Sequence, residues 1–373
     1  HHGRATHVAV DGTSHTVQLS NGAHFILAAA AATWPERLRK DGRADLEILP
    51  ARYDDAQAAS ARDLLMRSLE AFVATEAAAA AVDEGLAEQA VLWVDGSLYA
   101  DLSHMAGAPG QVRWGGGVER AGTLLRTTAA LLDLAERHGL WLIGIGKTQR
   151  AGFLFDALTA TAGVARPAAG SSDVSLRSGP AHGRPVADPG AMGVEPASGD
   201  SELGTRNPEL RGDRPCDGEV LAAAPVGWSW PLVLDGTHFP HSSAVAEEAL
   251  RGCPAIVSCY LRPHPADLPL RVDVPASAVG LGDRLLPDAL GEAPSPWPAW
   301  VPDPEVVRPV IEAAMAAYGG AHAYNGPLYA VDRLVRLSRR ELETRYLPIC
   351  ARVAGLPSGA LAVDRGRRRF ISA

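Results

Sequence analysis

Two aspartates carry the strongest hint of chemistry in this chain. Asp11 lies in Val10-Asp11-Gly12-Thr13 and Asp95 in Val94-Asp95-Gly96-Ser97, each after a short apolar run. An acid at the carboxyl end of a buried strand stands where open α/β sheets gather their ligands, and two such acids can aim at one spot. Two carboxylates held close together need a cation between them, and oxygen donors without paired Cys or His suit Mg²⁺ or Mn²⁺. Asp-Gly is also a common turn dipeptide, so either triplet alone says little; its recurrence after two apolar strands is the signal. Glu70 is a third acid, on a helix leading back to the Asp95 strand, although on sequence grounds alone a solvated helix face explains it better. Lys147 closes a strand in Gly144-Ile145-Gly146-Lys147-Thr148, where a cation can hold a phosphate or balance the acids, though such a lysine is more often plain surface.

Other chemistries find less support. A phosphate-cradling P-loop needs a glycine five residues before Gly146, and that position is Trp141. No Gly-x-Ser-x-Gly elbow surrounds a candidate serine. His238 and His241 sit in a proline-containing loop without a third ligand nearby and read as loop histidines. The four cysteines, Cys216, Cys253, Cys259 and Cys350, form no CxxC pair, so neither a zinc ribbon nor a disulfide framework is indicated and a cytoplasmic location is expected. The net charge of −8 argues against a uniformly basic coat for nucleic acid but leaves room for a local basic groove. Arg271, in Leu270-Arg271-Val272-Asp273-Val274, alternates with apolar residues and is expected to face either a groove or solvent. The arginines at 365 and 367–369 read as a solvated tail. No apolar stretch is long enough to span a bilayer, so no membrane partner is expected.

The elements that must position these residues alternate between extended and helical patterns. Strands are expected at 7–10, 16–19 and 24–27, with a hairpin turn at Asn21-Gly22. A helix over about 54–81 precedes the apolar strand 90–94, and a second helix over about 120–138 ends at Gly139 before the strand 141–145. Residues 164–218 collapse into Gly, Pro, Ser and Ala without apolar periodicity and are expected to be a disordered insertion. Beyond it, 255–261 and 270–274 form an antiparallel pair, followed by helices at about 305–318 and 328–346. The chain thus divides into a first part (1–163), the insertion (164–218) and a second part (219–373) of one mixed α/β domain.

The order of motifs resembles the NurA nuclease family: Ala9 to Ser14, the helix with Leu69-Glu70, Val94 to Leu98, Gly144 to Lys147, the stretch Tyr260 to Pro275, and Tyr324 to Asp332. The likeness spans nearly the whole chain outside the insertion. It implies an RNase H-like mixed sheet flanked by helices, and a homodimeric Mn²⁺-dependent nuclease that cuts single- and double-stranded DNA ends with a HerA-type hexameric ATPase, in DNA end processing or repair. It also implies a metal held by Asp11, Glu70, Asp95 and Asp332, with Tyr324 close by and Lys147 stabilising charge on the phosphate. Mg²⁺ is the second metal to consider. In the family's pattern a His is expected at the position of Asp332 and a Pro at that of Asn325, and Glu76 or Glu84 can stand in for Glu70. The chain opens at His1-His2 without the helix that precedes the family's first Asp, so part of a native N-terminus is expected to be missing. The alternatives are a catalytically weak DNA- or ATPase-binding module of the same fold, and a hydrolase of small phosphoesters.

Overall fold

The computed structural model describes residues 6–37, 39–99, 102–103, 105–106, 117–147, 152–161, 215–236, 239, 243–286, 298–320, 322–353 and 361. Its strands are β1 (Thr6–Gln18), β2 (His24–Trp34), β3 (Arg39–Leu49), β4 (Ala90–Asp95), β5 (Trp141–Gly146), β6 (Gly227–Trp228), β7 (Leu232–Leu234), β8 (Ile256–Arg262), β9 (Leu270–Pro275) and β10 (Ala299–Trp300). All ten join one mixed sheet in the order β10-β7-β8-β9-β5-β4-β1-β2-β3, with β6 alongside β8. The first three form an antiparallel meander, β4 and β5 run parallel to β1, and β9 closes antiparallel onto β5. Residues from both sides of the 164–218 stretch therefore build the same sheet.

Two strands differ from the sequence expectation. Asp11-Gly12 does not end a strand: β1 runs through it unbroken, because every residue from Ala9 to Gln18 pairs with β2. The ladder overrides the local turn preference of Asp-Gly. The Asn21-Gly22 turn forms as expected, with Gly22 at φ +83°. Strand β3 gave no apolar pattern because it is an edge strand, mostly exposed and rich in Arg, Lys, Asp and Glu, which an edge tolerates.

Helix α1 (Asp55–Asp83) begins at a capping box in which Asp54 accepts from the Gln57 N–H and Gln57 answers. Helix α2 (Gly117–His138) stops where Gly139 takes φ +64°. With α3 (Phe153–Thr161) and α4 (Ala244–Leu250) they cover one face of the sheet, burying Val8, Val10, Leu92 and Leu142 against Leu65, Leu125 and Leu154. Helices α5 (Arg308–Ala317) and α6 (Gly326–Val335) cover the other face, over Ala9, Trp93, Ile143 and Ile145. Each large apolar side chain so buried contributes about 1.5–3 kcal/mol. The single helix expected over 328–346 is divided: α6 ends at Val335, and Ser338 caps a new helical stretch whose Leu342 and Leu347 pack on Val17, Leu19 and Phe25.

The expected insertion lies outside the described residues except at its end, where Asp217 is fully buried and starts a helical turn. His238, His241 and the arginines at 365 and 367–369 also lie outside them. All four cysteines are free. Among the described residues no helix is long and apolar enough to cross a membrane.

Candidate active site

Strand register assembles the site. The parallel ladder between β1 and β4 pairs Val10 with Val94, so one step further Asp11 and Asp95 stand side by side on the same face. Asp95 in turn pairs with Ile145 of β5, and Lys147, two residues on, shares that face. The Lys147 ammonium lies 2.9 Å from Asp95 Oδ2 and 4.2 Å from the centre of the Tyr324 ring. Helix α6 packs against the same face, and the Tyr324 hydroxyl just before it bonds to Asp95. Asp332, on α6, reaches close enough to act electrostatically on Asp11 and Tyr324. Asn325, in place of the expected proline, is buried and caps α6 by accepting from the Leu328 N–H at 3.0 Å.

Electrostatics distinguish the two aspartates. Burial pushes the Asp11 carboxyl up to about 7, repulsion from Asp95 and then Asp332 adds to the rise, and the Gly12 N–H and Lys147 oppose it. Asp95 is half-buried and has the Lys147 ammonium as counterion. Tyr324 is held strongly protonated, by burial first and by Asp95 and Asp11 next.

Glu70 arrives from elsewhere. It projects from α1, on the opposite face of the sheet, and its carboxylate lies against Gly12, where an added methyl would come within 2.5 Å of Oε1. Glu70 therefore packs on the residue next to Asp11 rather than standing on a solvated face. The alternatives Glu76 and Glu84 are tied to Arg43 and to Arg37 and Arg39 at the surface.

The donor set suits a hard cation: it is all oxygen, and burial and the neighbouring acids push the Asp11 carboxyl up, an effect that positive charge opposes. Among the described residues no group of three or more His, Cys, Asp or Glu is already arranged to hold a metal ion. Lys147 sits on Oδ2 of Asp95 at 2.9 Å, and Arg336 on Oδ2 of Asp332 at 2.7 Å.

Sequence reasoning missed a buried polar cluster behind Asp95. Arg271 faces neither groove nor solvent; it is buried, and its Nε donates to Asp273 Oδ1 at 2.8 Å and to Ser258 Oγ at 2.9 Å. Asp217 caps α3 through the N–H groups of Phe153, Leu154 and Phe155 and accepts from the Tyr260 hydroxyl. The alternation Arg271-Val272-Asp273 was the available signal, because two opposite charges on one face of an apolar strand satisfy each other when buried.

A mixed sheet with paired acids at the junction of two parallel strands defines the class, and comparison places the chain within it. The NurA domain model matches residues 6–337. The chain belongs to the NurA domain family. Its fold is similar to a crystal structure of NurA with manganese, at a TM-score of 0.50 and 10% identity, over 97% of this chain and 91% of that one. A second NurA crystal structure aligns at a TM-score of 0.47 and 9% identity, over 96% and 90% of the two chains. No curated protein matches the sequence.

Proposed function

We propose that this protein is a metal-dependent nuclease acting on the ends of single- and double-stranded DNA. The observation that carries the reading is the placement of Asp11 and Asp95 side by side on one face, with Lys147, Tyr324 and Asp332 around them, in a chain of the NurA family. The order β3-β2-β1-β4-β5, with an antiparallel meander and two parallel strands, supports an RNase H-like core.

Asp11, Asp95 and Asp332 would hold Mn²⁺, with Mg²⁺ as second choice, and Glu70 would complete the set from the Gly12 side. A similar fold solved with manganese supports that choice. When bound, the ion would activate water and stabilise charge on the scissile phosphate. Asp11 must first release its proton, which Lys147 favours. Lys147, freed from Asp95, would turn its ammonium to a phosphate oxygen, and Tyr324 would orient Asp95 through its hydroxyl. None of these groups reads bases, so cleavage should follow DNA ends and structure rather than sequence. On family grounds we further propose a homodimer working in the cytoplasm with a HerA-type hexameric ATPase in DNA end processing or repair.

The test is degradation of end-labelled single- and double-stranded DNA with Mn²⁺, Mg²⁺ or EDTA, by wild type and Asp95→Asn. Loss of DNA with Mn²⁺ that EDTA and the substitution both prevent is expected. Equal inertness of the two proteins, even with the cognate ATPase, would leave a DNA- or ATPase-binding module, which the Arg336 grip on Asp332 favours.

A further inference from the structure

The chain leaving Asp95 passes from one face of the sheet to the other. Asp95 faces α6, but Gly96 turns at φ +112°, and the following residues run over β5 toward β9 on the opposite face. That route exists because β5 has no side chain in the way. A methyl on Gly144 would lie 2.9 Å from the Gly96 carbonyl oxygen and 2.9 Å from Leu98 Cγ. The Gly96 N–H donates to the Ile145 carbonyl at 2.9 Å, fixing the start of the turn. Its far end meets Asp273, the β9 partner of Gly144. The Asp273 carboxylate is fully buried; Oδ2 accepts from Ser97 Oγ at 2.6 Å and from the Tyr99 N–H at 3.2 Å, and Oδ1 is held by Arg271.

We infer that Asp273 is a positioning residue for the metal site: through Ser97 and Tyr99, over the bare Gly144, it fixes the turn that aims Asp95. The inference rests on the reading of Asp95 as a metal ligand. It gives Gly144, Ser97 and Asp273 one shared task. Asp273 itself binds no metal, because all its bonds lie on the face away from Asp11. Arg271 donates to Oδ1 of Asp273, which leaves Oδ2 to accept from both ends of the turn.

Mn²⁺ binding is measured from the free-ion EPR signal, and hydrogen exchange over residues 95–99 is followed without metal, for wild type, Ser97→Ala, Ser97→Thr, Gly144→Ala and Asp95→Asn. Ser97→Ala removes the hydroxyl that donates to Asp273 and keeps the buried ion pair, so it should fold normally even where Gly144→Ala does not. Expected are faster exchange at Tyr99 and Mn²⁺ binding weakened on the order of tenfold in Ser97→Ala and Gly144→Ala. Ser97→Thr should restore both, as Thr13 fills the same place in the other triplet. Unchanged exchange in Ser97→Ala, or faster exchange with unchanged Mn²⁺ affinity, overturns the inference while leaving the metal site standing. A wild type that binds no Mn²⁺ removes the metal reading and this inference together.

Discussion

The two Asp-Gly-hydroxyl triplets look alike in sequence and behave differently in space. The first lies inside a continuous strand, clamped by the β2 ladder, with Asp11 buried and its carboxyl pushed up chiefly by that burial. The second ends its strand, with Asp95 half-exposed, paired to Lys147 and followed by a turn that crosses the sheet. Their glycines differ accordingly: Gly12 is needed for what approaches it, the Glu70 carboxylate, and Gly96 for the backbone angle it adopts. Asp-Gly followed by a hydroxyl residue thus gives one buried acid within a strand and one half-buried acid, already paired with a lysine, at a strand end.

The sharpest way to break the contrast is to remove what holds the second triplet alone. Asp273→Asn leaves the Arg271 guanidinium buried without its carboxylate, and losing one partner of such a pair costs about 3–5 kcal/mol. The urea midpoint should fall accordingly, and adding Arg271→Met should recover much of the loss, since a buried pair replaced by apolar side chains is often tolerated. If Asp273→Asn unfolds like wild type, the cluster contributes nothing to stability.

The next effect is a pH dependence in the first triplet. Asp11 rises from 3.8 to about 7 on folding, chiefly through burial, so the folded state holds a proton that the unfolded chain has released. The resulting stability is present in full below the unfolded pKa and is lost as pH climbs through about 7. At about 1.4 kcal/mol per pH unit, the swing is about 4 kcal/mol at most. In EDTA, wild type should therefore lose stability between about pH 4 and pH 7 and level off above, and Asp11→Asn should lack that slope. Mn²⁺ should reverse it, since a cation binds the ionised carboxylate. A wild-type slope that survives Asp11→Asn would assign the effect to other groups.

Glycine substitutions separate the triplets next. Gly96→Ala forces a side chain to φ +112°, a strain of about 1–3 kcal/mol visible in the melting temperature. Gly12→Ala meets the Glu70 side chain at Cγ and Cδ as well as Oε1, and pushing it off its rotamer, at about 0.5–1.5 kcal/mol, displaces its carboxylate. Gly12→Ala should therefore stay folded and lose Mn²⁺ affinity. Retained affinity would place Glu70 outside the metal set.

How legible all this was depended on whether local pattern and tertiary packing agreed. Strands β4, β5, β8 and β9, helices α1 and α2 and the Asn21-Gly22 turn were readable because apolar period, caps and glycines pointed the same way. Asp11, Asp95 and Lys147 were singled out by local signals, an Asp-Gly dipeptide after an apolar run and a lysine after a strand, and strand register brings them to one face. Strand β3 was hidden because an exposed edge has no apolar alternation, and the continuity of β1 because a turn dipeptide was overruled by its neighbour strand. Register decided the rest: nothing in the sequence states that Gly144 lies opposite Asp273, or that α6 ends at Val335 and so brings Asp332 and Arg336 over Asp11.

The smallest expected effect concerns the rim of the site above Asp11. Arg336 donates to Asp332 Oδ2 through Nε at 3.1 Å and Nη2 at 2.7 Å, from one turn further along the same helical run. Both side chains are substantially exposed, and such a pair is worth about 0–1 kcal/mol, so Arg336→Gln should leave the melting temperature nearly unchanged. Its consequence lies in metal binding. Releasing Asp332 removes a competitor for the carboxylate, and removing a positive charge near Asp11 leaves the acids more attractive to a divalent ion, so Mn²⁺ should bind somewhat tighter. Calorimetric titration of Arg336→Gln against Asp332→Asn reads this directly. Tighter binding in the first and weaker binding in the second place Asp332 among the ligands, in the position where histidine was expected. Equal affinity in both would reduce the site to the strand aspartates, with Glu70 the remaining candidate to complete it.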